Sequence, residues 1–271
     1  MSDTNKVRVI SGLILLFILV VLTLVGGPLL LVVCGALSVL GLREFLNATG
    51  IGKSPLALAG YILSGLYYVG LIYFEKRQIV PFLILSFLVL AVIFLICYPT
   101  VRIHEFALVY TGMVYVTVFF GFLYLIHKMP QGPYLFALVF LSSWLGDTCG
   151  YAVGRRIGKH KMTPLLSPKK SWEGLAGEIV GVTLACLVFG LIFRSRLDMS
   201  YRLPLISCIA SGLCGSIVSV CGDLFASAVK REYGIKDYSH LIPGHGGVLD
   251  RFDSVLFTAP FIYLIFSAVG F

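Results

Sequence analysis

Long apolar runs separated by short polar stretches dominate the chain. Runs of about 20 residues, the length a helix needs to cross a bilayer, fall at roughly 9–26, 28–48, 55–74, 79–98, 103–126, 133–154, 174–193, 203–229 and 251–271. The pattern predicts an all-α polytopic integral membrane protein of about nine transmembrane helices joined by short loops. The first run follows Lys6 and Arg8, as a signal peptide would. It lacks a small-x-small cleavage site and many spans follow it, so a retained first helix is expected.

Composition strengthens this picture. The 271 residues are 58% hydrophobic and 13% charged, against roughly 25% charged in soluble domains. The bilayer, rather than one large core, therefore sets the architecture. The seven cysteines (34, 97, 149, 186, 208, 214 and 221) lie within or beside apolar runs and form no CxxC pair. They read as small buried hydrophobes, not as metal ligands or disulfides. The net charge of +8 does not imply nucleic acid, because membrane topology alone makes basic loops.

Loop charge sets the orientation. Alternating loops hold most of the 21 basic residues on one side, leaving Lys76, Arg77, Lys128, Arg194, Arg196 and Arg202 on the other. The positive-inside rule then places the N-terminus in the cytoplasm and, for nine spans, the C-terminus outside. The acids divide the chain differently. Up to residue 130 they are Asp3, Glu44, Glu75 and Glu105, each near a predicted helix end. Beyond it come Asp147, Glu173, Glu178, Asp198, Asp223, Glu232, Asp237, Asp250 and Asp253. The expected organisation is a scaffold over 1–130 and a catalytic region over 131–271.

Three stretches in the second half carry chemistry. Asp147 lies inside an apolar run, where a carboxylate is costly unless paired, metal-bound or facing water. Gly146, Gly150 and Gly154 beside it also suit a helix-packing seam. The basic loop that follows ends in Ser167-Pro-Lys-Lys-Ser-Trp-Glu-Gly174. A helix beginning there, next to Lys169, Lys170 and Ser171, would suit phosphate oxygens. The third stretch runs from Asp223 to Asp253. Asp223 precedes Lys230 by seven residues, about 10 Å along a helix. Gly244-His-Gly-Gly247 permits a tight turn whose N–H groups could hold an anion. Asp250 and Asp253 share a face of the next helix. Carboxylates ringed by Lys and Arg are the donor set for Mg²⁺ with a polyphosphate. His240 and His245 are too few for a zinc site. Gly146-Asp147 and Gly222-Asp223 also open similar ten-residue segments, as an internal duplication around one site would.

The run Ser227-x-Val-Lys-Arg-x4-Lys-Asp-x-Ser-x2-Ile-Pro-Gly-His-Gly-Gly-Val-x-Asp-Arg-Phe-Asp253 resembles the signature of the phosphatidate cytidylyltransferases, or CDP-diacylglycerol synthases. The Asp147 segment and the Ser167–Gly174 stretch are similar to that family too, whereas residues before 140 resemble it only in hydropathy. The resemblance implies a homodimeric helical enzyme of the bacterial inner membrane, with its active site facing the cytoplasm. It would use CTP and phosphatidic acid to make CDP-diacylglycerol and pyrophosphate, with Mg²⁺ and a second cation such as K⁺. On this reading Asp223 and Asp250 are the metal ligands, with Asp147 and Asp253 supporting them. Lys169, Lys170, Ser171, Lys230, Arg231 and Arg251 hold phosphates, and His245 with Gly246 and Gly247 positions one of them. Two rival readings remain: a CTP-dependent polyprenol or lipid kinase, and a cation transporter using Asp147 and Asp223.

Overall fold

The computed structural model describes residues 3–196 and 203–268. Arg202, assigned above to the far side of the membrane, and Asp198 lie outside the described residues. The structure is almost wholly helical, as the apolar runs predict. Seven helical stretches among the described residues are long and apolar enough to cross a membrane. Apolar side chains such as Phe74, Leu95 and Ile96 point outward from them. A lipid-facing surface has that character, and in water such patches would be a liability.

The chain divides into two compact units. The first takes residues 1–125 together with Tyr233–Arg251. Its helices are α1 (Asp3–Val25), α2 (Gly27–Ala48), α3 (Pro55–Phe74), α4 (Ile79–Cys97) and α5 (Ile103–Gly112), and α6 (Phe119–Lys128) leads out of it. Ser54 starts α3 by accepting from the Ala57 N–H at 3.1 Å, with Pro55 in the first turn. Here proline costs nothing, since its missing N–H would have had no helical partner. The apolar stretch Pro55–Cys97 is 43 residues long, but it is not one rod. A 3₁₀ turn at Glu75–Gln78 breaks it. The Gln78 side chain bonds back to the Tyr67 carbonyl, and Tyr67 packs on Phe82 with ring centroids 4.6 Å apart. The chain thus doubles back into an α3–α4 hairpin.

Between α5 and α6 the helix widens into a π-turn over Met113–Val118. The Thr117 carbonyl in this turn accepts the Tyr68 hydroxyl at 3.0 Å, and the Thr117 hydroxyl pairs with Ser64 at 2.7 Å. In a dry interior these bonds hold helices that apolar contact alone would not select, because lipid offers the same contact.

The second unit takes residues 126–232 and 252–271. It contains α7 (Gly132–Phe140), a π-turn at Leu141–Leu145, α8 (Gly146–Ile157), α9 (Trp172–Ile192), α10 (Leu203–Glu232) and most of α11 (Leu249–Ala268). The glycine seam of α8 packs against α9. A Cβ on Gly174 of α9 would come within 2.9 Å of the Gly150 carbonyl oxygen, so glycine permits this close approach. One departure from pure helix stands out. The basic loop forms an antiparallel hairpin of β1 (Lys161–Thr163) and β2 (Ser167–Ser171), with Lys161 opposite Ser171.

Candidate active site

Four carboxylates and two lysines gather at one end of the second unit. Asp147 stands at the start of α8, just after the π-turn, and Glu178 lies two turns into α9. Asp223 and Lys230 project from α10, Asp253 comes from α11, and Lys170 comes from β2. The Lys170 ammonium is 2.6 Å from Asp223 Oδ2, and Asp223 Oδ1 accepts from the Ser227 hydroxyl at 3.3 Å. Glu178 is within electrostatic range of Asp147, Lys170 and Asp223. Asp253 is similarly within range of Asp223, Lys230 and Asp147. The two Gly-Asp segments therefore do serve one cluster.

Burial separates this cluster from a solvated charged face. Glu178 is 3% exposed, and Lys230 and Asp253 are each 8% exposed. Burial works against the charge on Lys170. The carboxylates of Asp223, Asp147 and Glu178 nevertheless outweigh it and hold the ammonium pKa above the usual lysine value. A cavity of about 200 Å³ opens beside them, lined by Asp147, Lys169, Lys170, Ser171 and Glu178 among others. Asp147 and Lys169 are exposed toward this space. The Ser171 hydroxyl caps α9 by accepting from the Gly174 N–H at 3.1 Å. Glu173, two residues after Ser171, ties down the turn before the hairpin. It pairs with His160 Nδ1 at 2.6 Å and accepts from the Lys159 and His160 N–H groups.

Oxygen donors of this kind suit a hard divalent cation. Four carboxylates against two ammonium groups also leave the cluster two negative charges in excess when all are ionised. Glu178 Oε1 is buried without a hydrogen-bond partner, and such an atom calls for a cation or a proton. No three Asp, Glu, His or Cys side chains among the described residues converge to coordination distance. On Asp223 the Lys170 ammonium holds the place of a counter-cation.

The remaining sequence-predicted residues fall on the end of α10, the loop after it and the start of α11. Arg231 is exposed at the end of α10. In the first unit, Asp250 Oδ2 accepts from the Tyr238 N–H at 2.8 Å and the Gly247 N–H at 2.9 Å. That N–H of the expected anion cradle is thus engaged by the chain's own carboxylate. Gly246 (φ +87°) and Gly244 (φ +75°) take backbone conformations that L-residues rarely adopt. His245 Nδ1 pairs with the Ser11 hydroxyl at 2.8 Å, and Arg251 is half-buried.

Sequence reasoning listed Glu178 among the acids and gave it no role. Its signal was available: an acid two turns inside an apolar helix needs a reason.

The profile of the cytidylyltransferase family matches residues 6–269 of this chain. A protein of Staphylococcus epidermidis named phosphatidate cytidylyltransferase is 31% identical over 263 residues, covering 96% of this chain and 98% of its own length. Proteins of the same name from Staphylococcus haemolyticus and Staphylococcus saprophyticus are 31% and 30% identical, with the same coverage. The match takes in nearly every helix described above, including those that carry the acidic cluster. The chain belongs to the cytidylyltransferase family.

Proposed function

We propose that the protein is a phosphatidate cytidylyltransferase, transferring CMP from CTP to phosphatidic acid to give CDP-diacylglycerol and pyrophosphate. The observation that carries this reading is the cluster of Asp147, Glu178, Asp223 and Asp253 with Lys170 and Lys230, half of it buried, beside a cavity lined by a basic hairpin. The nucleophile is the lipid's own phosphate oxygen, largely ionised at neutral pH if its second pKa is near 6. No Ser–His–Asp relay is required.

An oxygen of the phosphatidate phosphate forms a bond to the α-phosphorus of CTP. The bond to the α–β bridging oxygen breaks, and its electron pair leaves with pyrophosphate. The obstacle is bringing one polyanion against another. Lys170 and Lys230, already held by carboxylates, need no reorganisation to meet phosphate charge. Lys169 on the exposed face of the hairpin and Arg231 at the end of α10 add further cations. The residues that would hold Mg²⁺ are Asp223, Asp253, Asp147 and Glu178. When bound, the ion supplies charge neutralisation at the reacting phosphates. A second cation such as K⁺ has the same oxygen donors available. Asp250, the other ligand expected from sequence, instead organises the loop in this proposal.

The topology proposed is nine spans, obtained by counting α1 and both arms of the α3–α4 hairpin, with the N-terminus cytoplasmic. A single rod of 43 residues would exceed twice the ~30 Å of a hydrocarbon core. The enzyme then sits in the bacterial inner membrane as a homodimer, with its basic hairpin and active site on the cytoplasmic side. A C-terminal reporter active in the cytoplasm would reject this topology.

The test of function is product labelling. Purified protein with phosphatidate, Mg²⁺ and CTP labelled at the α-phosphate should place label in the lipid, and EDTA should stop it. Lipid labelled only from the γ-phosphate would indicate a CTP-dependent lipid kinase instead.

A further inference from the structure

Among the described residues of the first unit the buried carboxylates are Glu44 on α2 and Asp250 at the start of α11, and the proposed mechanism makes no use of Glu44. It lies near the C-terminal end of α2, where the helix macrodipole disfavours an anion, and it is 7% exposed. Its partners lie about two hundred positions away in sequence. Oε1 accepts from the Ser239 hydroxyl at 2.6 Å and from the Val248 N–H at 3.0 Å, and Oε2 accepts from the Leu249 N–H at 2.9 Å. Leu249 is the first residue of α11. One carboxylate thus supplies the acceptors that the start of this helix lacks within itself. A Cβ on Gly247 would come within 2.7 Å of both Glu44 oxygens, so glycine at this position lets the backbone close onto the acid.

We infer that Glu44 is a positioning residue for cytidylyl transfer, holding the signature loop and the first turn of α11 in register from the opposite end of the sequence. The loop links the helix bearing Asp223 and Lys230 to the helix bearing Asp253, and it ends where Leu249, Asp250 and Arg251 begin α11. Its own carboxylate, Asp250, binds the Tyr238 and Gly247 N–H groups, and Glu44 binds the next two. Three successive N–H groups, of residues 247, 248 and 249, therefore point at two acids of the chain itself. The start of α11 is thereby occupied by Glu44 and is not a phosphate site. Glu44 acts through orientation and touches no substrate.

The inference rests on the cytidylyltransferase reading, and its test separates the two. Glu44→Gln keeps the shape of the side chain but sets an amide nitrogen against one of its donors and removes the charge. Charge-assisted bonds are roughly twice as strong as neutral ones, so kcat/KM should fall about tenfold, with part of the loss in the KM for CTP. Amide hydrogen exchange at Val248 and Leu249 should quicken. Ser239→Ala, which removes one donor and leaves the carboxylate in place, should show the same changes on a smaller scale. A purely structural role would lower the yield of folded protein and leave KM unchanged in the folded fraction. Unchanged KM, or unchanged exchange at both amides, overturns the inference. Wild-type protein that forms no CDP-diacylglycerol overturns the functional reading instead, and the exchange measurement stands without it.

Discussion

Glu44 and Glu178 are both glutamates buried on membrane-spanning helices, 7% and 3% exposed, and their surroundings are opposite. Glu44 faces two N–H groups and a hydroxyl. Glu178 faces Asp147 and Asp223 with Lys170 as its cationic neighbour, and its Oε1 has no hydrogen-bond partner. The first arrangement is complete within the protein. The second is unfinished and finds its balance in a cation, a proton or a substrate. Burial alone therefore does not mark an acid as chemical; the identity of its partners does. Asp250 and Asp253 repeat the contrast on a single helix. Asp250 accepts loop N–H groups, whereas Asp253 accepts from the N–H of its neighbour Ser254 at 2.8 Å and lies near two further acids.

Substitutions can break this comparison. The largest effect is expected for Asp223→Asn, which removes the partner of Lys170 and should cost on the order of a thousandfold in turnover with expression intact. Near-normal turnover would remove Asp223 from the site. Next come the two aspartates of α11. Asp253→Asn should cost about a hundredfold, while Asp250→Asn keeps an oxygen for both loop N–H groups and should retain at least roughly a tenth of wild-type turnover. A loss at Asp250 on the scale of Asp223 would restore it as a metal ligand, as the sequence suggested.

The glutamate pair gives effects of opposite sign in stability. Glu178→Gln relieves buried like charges and should raise the melting temperature while increasing the Mg²⁺ needed for half-maximal activity. Glu44→Gln should lower stability by about 1–3 kcal/mol, because it leaves a buried donor unsatisfied. Equal signs in a thermal melt would undo the distinction. The smallest effect concerns Lys170. Its folded pKa is raised above the unfolded value of about 10.4, so its contribution is complete below that pH and is lost as pH rises through the folded pKa. Melts of wild type and Lys170→Met should differ by a constant amount from pH 7 to 9 and converge only in stronger alkali.

The helical framework could be read from the chain because its punctuation is local. The predicted 55–74 and 79–98 became Pro55–Phe74 and Ile79–Cys97, bounded by a proline, a capping serine and a charged turn. The hairpin at Lys161–Ser171 could not be read this way. Its strands carry lysines rather than alternating apolar residues, and Glu173 fixes the preceding turn through contacts with residues 159 and 160. The site was half-visible. Asp147, Asp223 and Asp253 announced themselves as acids in apolar surroundings. Glu178 gave the same signal more faintly, lying two turns after the more conspicuous Trp172-Glu173. Glu44 looked like an ordinary helix-end acid, since nothing near it in sequence names partners at 239, 248 and 249. Long-range pairing leaves no periodic trace.

The first unit closes only with residues 233–251, which has a consequence for biogenesis. During synthesis, α2 emerges with a carboxylate whose donors will not exist until some two hundred residues later, after every helix up to α10 has been made. A chain interrupted before residue 233 presents the quality-control machinery with a charged, unpartnered glutamate in a membrane helix. An N-terminal fragment ending at Leu125 should therefore be degraded when expressed alone. It should accumulate when the remainder of the chain is supplied as a separate polypeptide, so that complementation of the two halves reports on docking of the loop without any assay of catalysis.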